Sequence, residues 1–345
     1  MRNQVIGIQD FFSHAKHGVI VDVRSPKEYA NGHIPGAKNL PLFTDEERHN
    51  IGVIYKQDGH QKAVYHGLEV VGPRLTSYID TAAALAPQKA IYMYCWRGGM
   101  RSNSLALLLR TAGFTVYVLK DGYKAYRGFV HQQFTKPLKL INIGGFTGTG
   151  KTEILHYLAK NGYQVIDLEG LVRHQGSAFG NLENHPQPTT EHFENLLAET
   201  IIKTDQSRII FTEDESVTIG KVRLPHAFFE SLQRAPLLFL QQHHIKRQER
   251  LANQYGNATP ETVAAAFIRL KKRLGGLNLA EALKAVATND INHAAQIALQ
   301  YYDKSYYRGL EKRAFVRLKK INANNPIDVI AQDLITVSQQ IYERT

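Results

Sequence analysis

Short apolar runs alternate with longer amphipathic stretches through the first two thirds of the chain. Gly18–Val23, Ala90–Tyr94 and Phe114–Leu119 read as strands, with a helix from Ser102 to Thr111 between the last two. That alternation predicts a small α/β unit with a parallel sheet. Residues 131–137 are polar, lack periodicity and end in Pro137, so they read as a linker. A second alternating pattern then begins. Leu138–Ile143, Tyr163–Ile166, Arg208–Thr212 and Pro236–Leu240 read as strands, and Lys151–Ala159 and Glu191–Lys203 as helices. From His243 onward the pattern is mainly helical, with breaks at 256–260, 275–276, 288–292 and 322–326. The predicted fold class is α/β, in three regions: 1–135, 136–245, and a helical, basic 246–345 packed on the second.

Composition narrows the class. With 345 residues, 43% hydrophobic and 21% charged, the chain is globular rather than disordered or rod-like. A single cysteine excludes an intrachain disulfide and a cysteine-built zinc site. No run of 18 apolar residues occurs and the N-terminus shows no apolar signal segment, so a cytoplasmic protein without membrane contact is expected. The net charge of +11 is uneven: +6 over 1–135, −2 over 136–240 and +7 over 241–345. Two basic ends around a near-neutral middle point to a polyanionic partner.

The lone cysteine sits in Cys95-Trp96-Arg97-Gly98-Gly99-Met100-Arg101-Ser102, between a predicted strand and a predicted helix. A short loop there turns backbone N–H groups inward, and the helix N-terminus adds partial positive charge. Arg97 and Arg101 add formal charge, and Gly98 and Gly99 permit the bend. A thiolate is the nucleophilic form of cysteine, and this setting reads as catalytic rather than structural. The loop could also hold an anion above the sulfur. Trp96 either stacks on a base or walls the pocket.

Gly145-Phe146-Thr147-Gly148-Thr149-Gly150-Lys151-Thr152 fits the phosphate-loop pattern in its required context, after a strand and opening a helix. Loop N–H groups would cradle a diphosphate, Lys151 would reach its outer oxygens, and Thr152 is placed for Mg²⁺. The pattern specifies a grip on linked phosphates and does not single out ATP, since any diphosphate ester would fit it. Asp167, Glu169, Glu213 and Asp214 follow predicted strands and are candidates for acid or metal-associated roles, Glu213 and Asp214 being preferred within Glu213-Asp214-Glu215. Arg173 and the loop through Gly176-Ser177-Ala178-Phe179-Gly180 read as a phosphate or base contact. His174 is a candidate general acid or base, or a positioning donor. Arg247 and Arg250 share a helix face and are candidate diphosphate contacts. Lys246, Lys271, Lys272, Arg273, Lys304, Arg308, Lys312, Arg313, Arg317, Lys319 and Lys320, interleaved with Tyr301, Tyr302, Tyr306 and Tyr307, suit an RNA backbone with exposed bases. His33, His243 and His244 read as structural or surface residues.

The cysteine loop, with Asp22-Val23-Arg24-Ser25-Pro26-Lys27-Glu28-Tyr29, Gly32–Ala37 and Leu119–Tyr126, resembles rhodanese-like domains. Fused to a phosphate-loop domain bearing Asp167–Leu171, Arg173-His174 and Glu213–Glu215, and with Leu40–Arg48 and Gly52–Gln57 between the signatures, the chain resembles the tRNA 2-selenouridine synthases. The resemblance implies an N-terminal rhodanese-like fold and a P-loop NTPase-like domain. It implies geranylation of the C2 sulfur of wobble 2-thiouridine by geranyl diphosphate, then replacement of that sulfur by selenium from selenophosphate. The implied partners are the lysine, glutamate and glutamine tRNAs and a selenophosphate-producing enzyme. No tightly bound cofactor is implied. Cys95 would carry selenium or orient selenophosphate, Arg101 and the loop amides would hold the anion, and Asp22 and Arg24 would support the loop by ion pairing. Two alternatives stay open on the residues alone. One is a sulfurtransferase fused to an ATP-dependent kinase or adenylating domain. The other is an RNA-binding module with an inactive cysteine loop.

Overall fold

The structure is a computed structural model that describes residues 4–174, 186–311 and 317–343. The chain divides into two compact units between Gln133 and Phe134.

The first unit is built on a five-stranded sheet in the order β1-β5-β4-β2-β3, with β1 Val5–Ile6, β2 Val19–Asp22, β3 Lys38–Asn39, β4 Ala90–Tyr94 and β5 Thr115–Leu119. Every pairing is parallel. The central strand β4 is buried from Ile91 to Tyr94, consistent with helices on both faces of a parallel sheet. Val21, Met93, Val116 and Val118 form a core with Leu105, Ala106 and Leu109 of the helix Met100–Thr111. The helix Gly122–Gln133 runs through the first part of the expected linker.

The second unit carries another all-parallel five-stranded sheet, ordered β12-β11-β6-β8-β7, with β6 Leu140–Gly145, β7 Gln164–Ile166, β8 Ile210–Glu213, β11 Leu237–Gln241 and β12 Leu318–Asn322. A small antiparallel pair, β9 Thr218–Ile219 and β10 Val222–Arg223, follows β8. Helices Lys151–Lys160 and Ile327–Glu343 cover one sheet face through Ile154, Leu155, Leu158, Ile330 and Leu334. A separate helical core joins Leu251, Tyr255, Phe267, Leu270 and Ala298.

The last third is not helical throughout. β12 returns to the sheet beside β11, so the C-terminal region completes the phosphate-loop sheet as well as packing on it. Lys319 and Lys320 therefore stand on an edge strand, exposed, not on a helix face. Only Ile321 of the five strand residues is buried. An edge strand guarded by lysines lacks the apolar run that marks a central strand, which is why the pattern hid it.

Candidate functional site

In the first unit β4 ends at Tyr94 and the next helix begins at Met100, so residues 95–99 form the turn. Cys95 is 3% exposed. The Ser102 hydroxyl lies 3.2 Å from Cys95 Sγ and 3.1 Å from the Gly99 carbonyl, and so shares its proton between them. Asn103 donates to the carbonyls of Gly98 and Gly99, each at 3.0 Å. The turn is locked from behind by Tyr123 N–H on the Cys95 carbonyl (2.8 Å) and Lys124 N–H on that of Trp96 (2.9 Å). Gly98 (φ +62°) and Gly122 (φ +57°) are left-handed and packed together. A Cβ on Gly122 would stand 2.3 Å from the Cys95 carbonyl oxygen.

Asp22 and Arg24 form a buried ion pair at 2.6 Å. Arg24 also donates to the Gly32 carbonyl at 2.6 Å and lies 3.7 Å over the Tyr123 ring. Burial opposes its charge, but the hydrogen bonds and charge of Asp22 outweigh that and raise its pKa. The pair ties the end of β2 to the segment that closes the cysteine turn.

Arg101 reaches the pocket rim already paired with Glu28 at 2.7 Å. Burial works against the Glu28 carboxylate, yet the hydrogen bond and charge of Arg101 hold it below its ordinary range. Arg48, from the helix Asp45–Gln57, approaches the same carboxylate at 4.0 Å. Arg48, Arg97 and Arg101 line a pocket of about 450 Å³ with Cys95, Trp96, Gly99 and Met100. Arg48 was not among the expected site residues. It falls in the Leu40–Arg48 segment, but no local pattern says that its helix faces the thiol.

In the second unit β6 runs directly into the phosphate loop, residues 146–150, and the helix Lys151–Lys160. Gly148 and Gly150 are left-handed. Lys151 Nζ donates to the Gly145 carbonyl at 3.0 Å, Thr149 Oγ1 to that of Phe146 at 2.8 Å, and Thr152 Oγ1 to Glu169 Oε2 at 3.0 Å.

Arg247 takes partners other than the diphosphate expected of it. It is 3% exposed, donates to the Thr147 carbonyl at 2.9 Å, forks onto Asp303 and lies 4.9 Å over the Phe146 ring. It braces the loop from behind. Arg250 donates to the Gly148 carbonyl at 2.6 Å and pairs with Glu153 at 3.2 Å, while still lining the cavity. Arg173 is left-handed, caps the helix Leu168–Val172 and is exposed, outside the residues that line the cavity.

The acids sort by position. Asp167 caps the helix Leu168–Val172 by accepting from Gly170 N–H, and meets His156 at 2.9 Å. Glu213 is fully buried, accepting from Leu168 N–H at 2.9 Å. Burial, reinforced by the charges of Asp167 and Glu169, pushes its carboxyl well up. Asp214 accepts from the Tyr306 hydroxyl at 2.8 Å. Glu169, Asp214 and Glu215 line the cavity, whereas Glu213, preferred from the sequence, does not. Burial, and then the charge of Glu169, pushes Glu215 up to about 8 against the pull of Lys151. Glu169 is raised by burial in the same way, with Lys151 and Thr152 opposing. Among the described residues no cluster of three or more His, Cys, Asp or Glu has metal-holding geometry. The Thr152 hydroxyl beside the Glu169 carboxylate still fits Mg²⁺, which takes one or two protein oxygens and fills its remaining positions with substrate phosphates and water.

The cavity above the phosphate loop measures about 1780 Å³. Lys246, Arg269, Lys272 and Arg273 of the C-terminal helices line it together with Lys151 and Thr152. His174 also faces it, with its pKa lowered by burial and then by the charge of Arg269. Residues Gly176-Ser177-Ala178-Phe179-Gly180, Lys312 and Arg313 lie outside the described residues, as do the side chains of Tyr307 and Arg308.

A buried thiol in an arginine-lined turn on one parallel sheet, and a phosphate loop opening on a basic cavity on another, define a rhodanese-like domain joined to a P-loop transferase domain. Residues 10–128 match the rhodanese-like domain family, and residues 138–335 match the AAA domain of tRNA 2-selenouridine synthase. The tRNA 2-selenouridine synthase of Shewanella piezotolerans is 34% identical over 332 residues, spanning 86% of this chain and 89% of its own. That of Nitrosomonas europaea is 36% identical, over 75% of this chain and 69% of its own. A solved N-terminal domain of a putative ATP/GTP binding protein from Clostridium difficile 630 is 42% identical, covering 36% of this chain and 98% of that one, with a TM-score of 0.34. The chain belongs to the tRNA 2-selenouridine synthase family. It is an enzyme, a transferase that modifies tRNA. Among the described residues no helix is long and apolar enough to cross a membrane.

Two outcomes follow from this geometry. Gly122→Ala forces a Cβ onto the Cys95 carbonyl from a left-handed backbone, and should destabilise the protein by roughly 2–4 kcal/mol. A lowered urea midpoint checks this, and an unchanged midpoint contradicts it. Burial holds the Glu215 carboxyl at about 8, above its ordinary 4.5. It therefore favours the folded state fully below about pH 4.5, and that contribution is lost as pH rises through about 8. Glu215→Gln should raise the melting temperature more at pH 9 than at pH 5; an equal shift at both would count against the assignment.

Proposed function

We propose that the enzyme works in two stages: geranylation of the C2 sulfur of wobble 2-thiouridine in the lysine, glutamate and glutamine tRNAs, then exchange of that sulfur for selenium from selenophosphate. The observation that carries this reading is the pairing of chemistries. One loop offers a buried thiol in a pocket lined by three arginines, the other a diphosphate cradle opening on a cavity much larger than a diphosphate.

In the first stage the anticodon base leaves its stack, at low cost in a single-stranded loop, and enters the cavity of the second unit. Its sulfur attacks C1 of geranyl diphosphate. The S–C1 bond forms, the C1–O bond breaks, and diphosphate departs. Lys151 exchanges the Gly145 carbonyl for a phosphate oxygen, and the loop amides take the charge that develops on the leaving group. Thr152 and Glu169 would hold Mg²⁺, which supplies further charge neutralisation on the diphosphate. Arg247 keeps the loop in shape without touching substrate, and Arg250 is placed to do both.

In the second stage selenium adds at C2 and geranyl thiol leaves. Arg48, Arg97 and Arg101 supply charge for the phosphate end of selenophosphate. Cys95 serves this stage with Ser102 donating to its sulfur, and water takes up the phosphoryl group on cleavage of the P–Se bond. The cations Lys246, Lys272 and Arg273 at the cavity support RNA binding through phosphate contacts.

Single variants separate the stages. Cys95→Ala should abolish selenation while geranylation continues. Lys151→Ala should slow geranylation by about 10²–10³-fold. Nucleoside mass spectrometry reads both products. Loss of both products from a folded Cys95→Ala protein would end this division of labour, and normal geranylation by Lys151→Ala would remove the phosphate loop from the first stage. Affinity for tRNA should also fall steeply with salt as counterions are released, and a flat series would contradict the basic-cavity contact.

A further inference from the structure

The cavity that opens on the phosphate loop is not polar throughout. Leu251 and Leu270 line it, at 3% and 4% exposure, together with Tyr301, Tyr302 and Tyr306 of the helix Ile291–Glu311. Tyr301 and Tyr302 lie with ring centroids 5.1 Å apart and pack, half-buried, on the helical core that contains Leu251 and Leu270. Tyr306 stands four residues beyond Tyr302, so the two share one helix face about one turn apart. Its hydroxyl is fixed at the start of the phosphate loop, accepting from Gly145 N–H at 3.3 Å and donating to Asp214 at 2.8 Å. One face of this helix therefore leads from the last amide of β6, at the entry to the phosphate loop, to an apolar wall.

We propose that this wall is the subsite for the hydrocarbon tail of the diphosphate donor. The diphosphate lies on residues 145–152, the ten-carbon tail runs along Tyr306 and Tyr302, and its end rests against Tyr301, Leu251 and Leu270. The inference rests on the prenyl-donor reading above and adds which residues measure the tail. Apolar tail carbons gain by leaving water, and a wall of fixed length rewards a tail that fills it. The sequence pattern suggested that Tyr301 and Tyr302 stack on RNA bases. Their packing against the helical core and the buried leucines beside them favours a hydrocarbon instead. Splayed bases are read on exposed aromatic faces.

The test is a donor series on tRNA bearing 2-thiouridine, with dimethylallyl, geranyl and farnesyl diphosphates at five, ten and fifteen carbons. The wild type should prefer geranyl to dimethylallyl in kcat/KM. Tyr302→Ala should lower the geranyl-to-dimethylallyl ratio by about tenfold or more, with the KM for tRNA unchanged. Tyr302→Phe should keep the wild-type ratio. Tyr301→Ala, checked like Tyr302→Ala for folding by thermal unfolding, provides a second variant at the same wall and should move the ratio the same way. An unchanged ratio in folded alanine variants overturns the subsite, and so does a loss confined to the KM for tRNA, which would return these tyrosines to RNA stacking. If the wild type transfers no prenyl group from any donor, the prenyl-donor reading itself fails. Normal geranyl transfer with an unchanged ratio sinks only the subsite.

Discussion

Where a parallel strand ends and a helix begins a few residues later, the first backbone amides of that helix have no helical partner. Both chemical centres of this protein are built on that constraint. Residues 95–99 and 146–150 each fill such a gap, and each depends on glycines at left-handed positions. Gly98 and Gly122 let two chain segments touch behind the thiol, and Gly148 lets the phosphate loop lie against the backbone of Arg247. Side chains then decide what each set of amides is for. One gap receives a sulfur, the other a lysine and a threonine.

Most of the nearby cations are already engaged. Arg24 is spent on Asp22, Arg101 on Glu28, Arg247 on Asp303 and Arg250 on Glu153. The Arg24–Asp22 pair is buried and costly to break, because removing one partner leaves a buried charge, whereas the Arg250–Glu153 pair stands largely exposed. These pairs therefore hold the loops in shape. Lys151, by contrast, is held by a backbone carbonyl, a neutral partner that an anion readily displaces. The half-buried carboxyls of Glu169 and Glu215, raised by burial, lie close to it. The first unit places its arginines around a thiol, whereas the second sets its lysine among acids. That difference underlies the proposal of a small-anion site in the first unit and a diphosphate site in the second.

The central strands of both sheets and both loops were legible in the sequence, because buried parallel strands write themselves as apolar runs and the two loops carry fixed glycine spacing, whereas the two-residue strands β1 and β3 are too short to show a pattern. The contributions of distant segments were not legible. Arg48 lines the thiol's pocket from a helix whose own residues give no sign of their neighbour. Arg247 reads as a phosphate contact until Asp303, 56 residues on, is seen to take its fork. Glu213 and Glu215 differ by two positions and by a change of wall, and alternation along a strand end cannot say which faces the cavity. β12 was masked by its lysines. Each of these turns on which side of an element faces a partner far away in the chain, and a local pattern does not contain that.

The central claim is the order of the two stages, and the most direct measurement is a time course of nucleosides from tRNA bearing 2-thiouridine, followed by mass spectrometry with the wild-type enzyme, geranyl diphosphate and selenophosphate. The account predicts S-geranyl-2-thiouridine first and 2-selenouridine after it, with the geranylated nucleoside accumulating when selenophosphate is withheld. Selenium incorporation at full rate without geranyl diphosphate would contradict it.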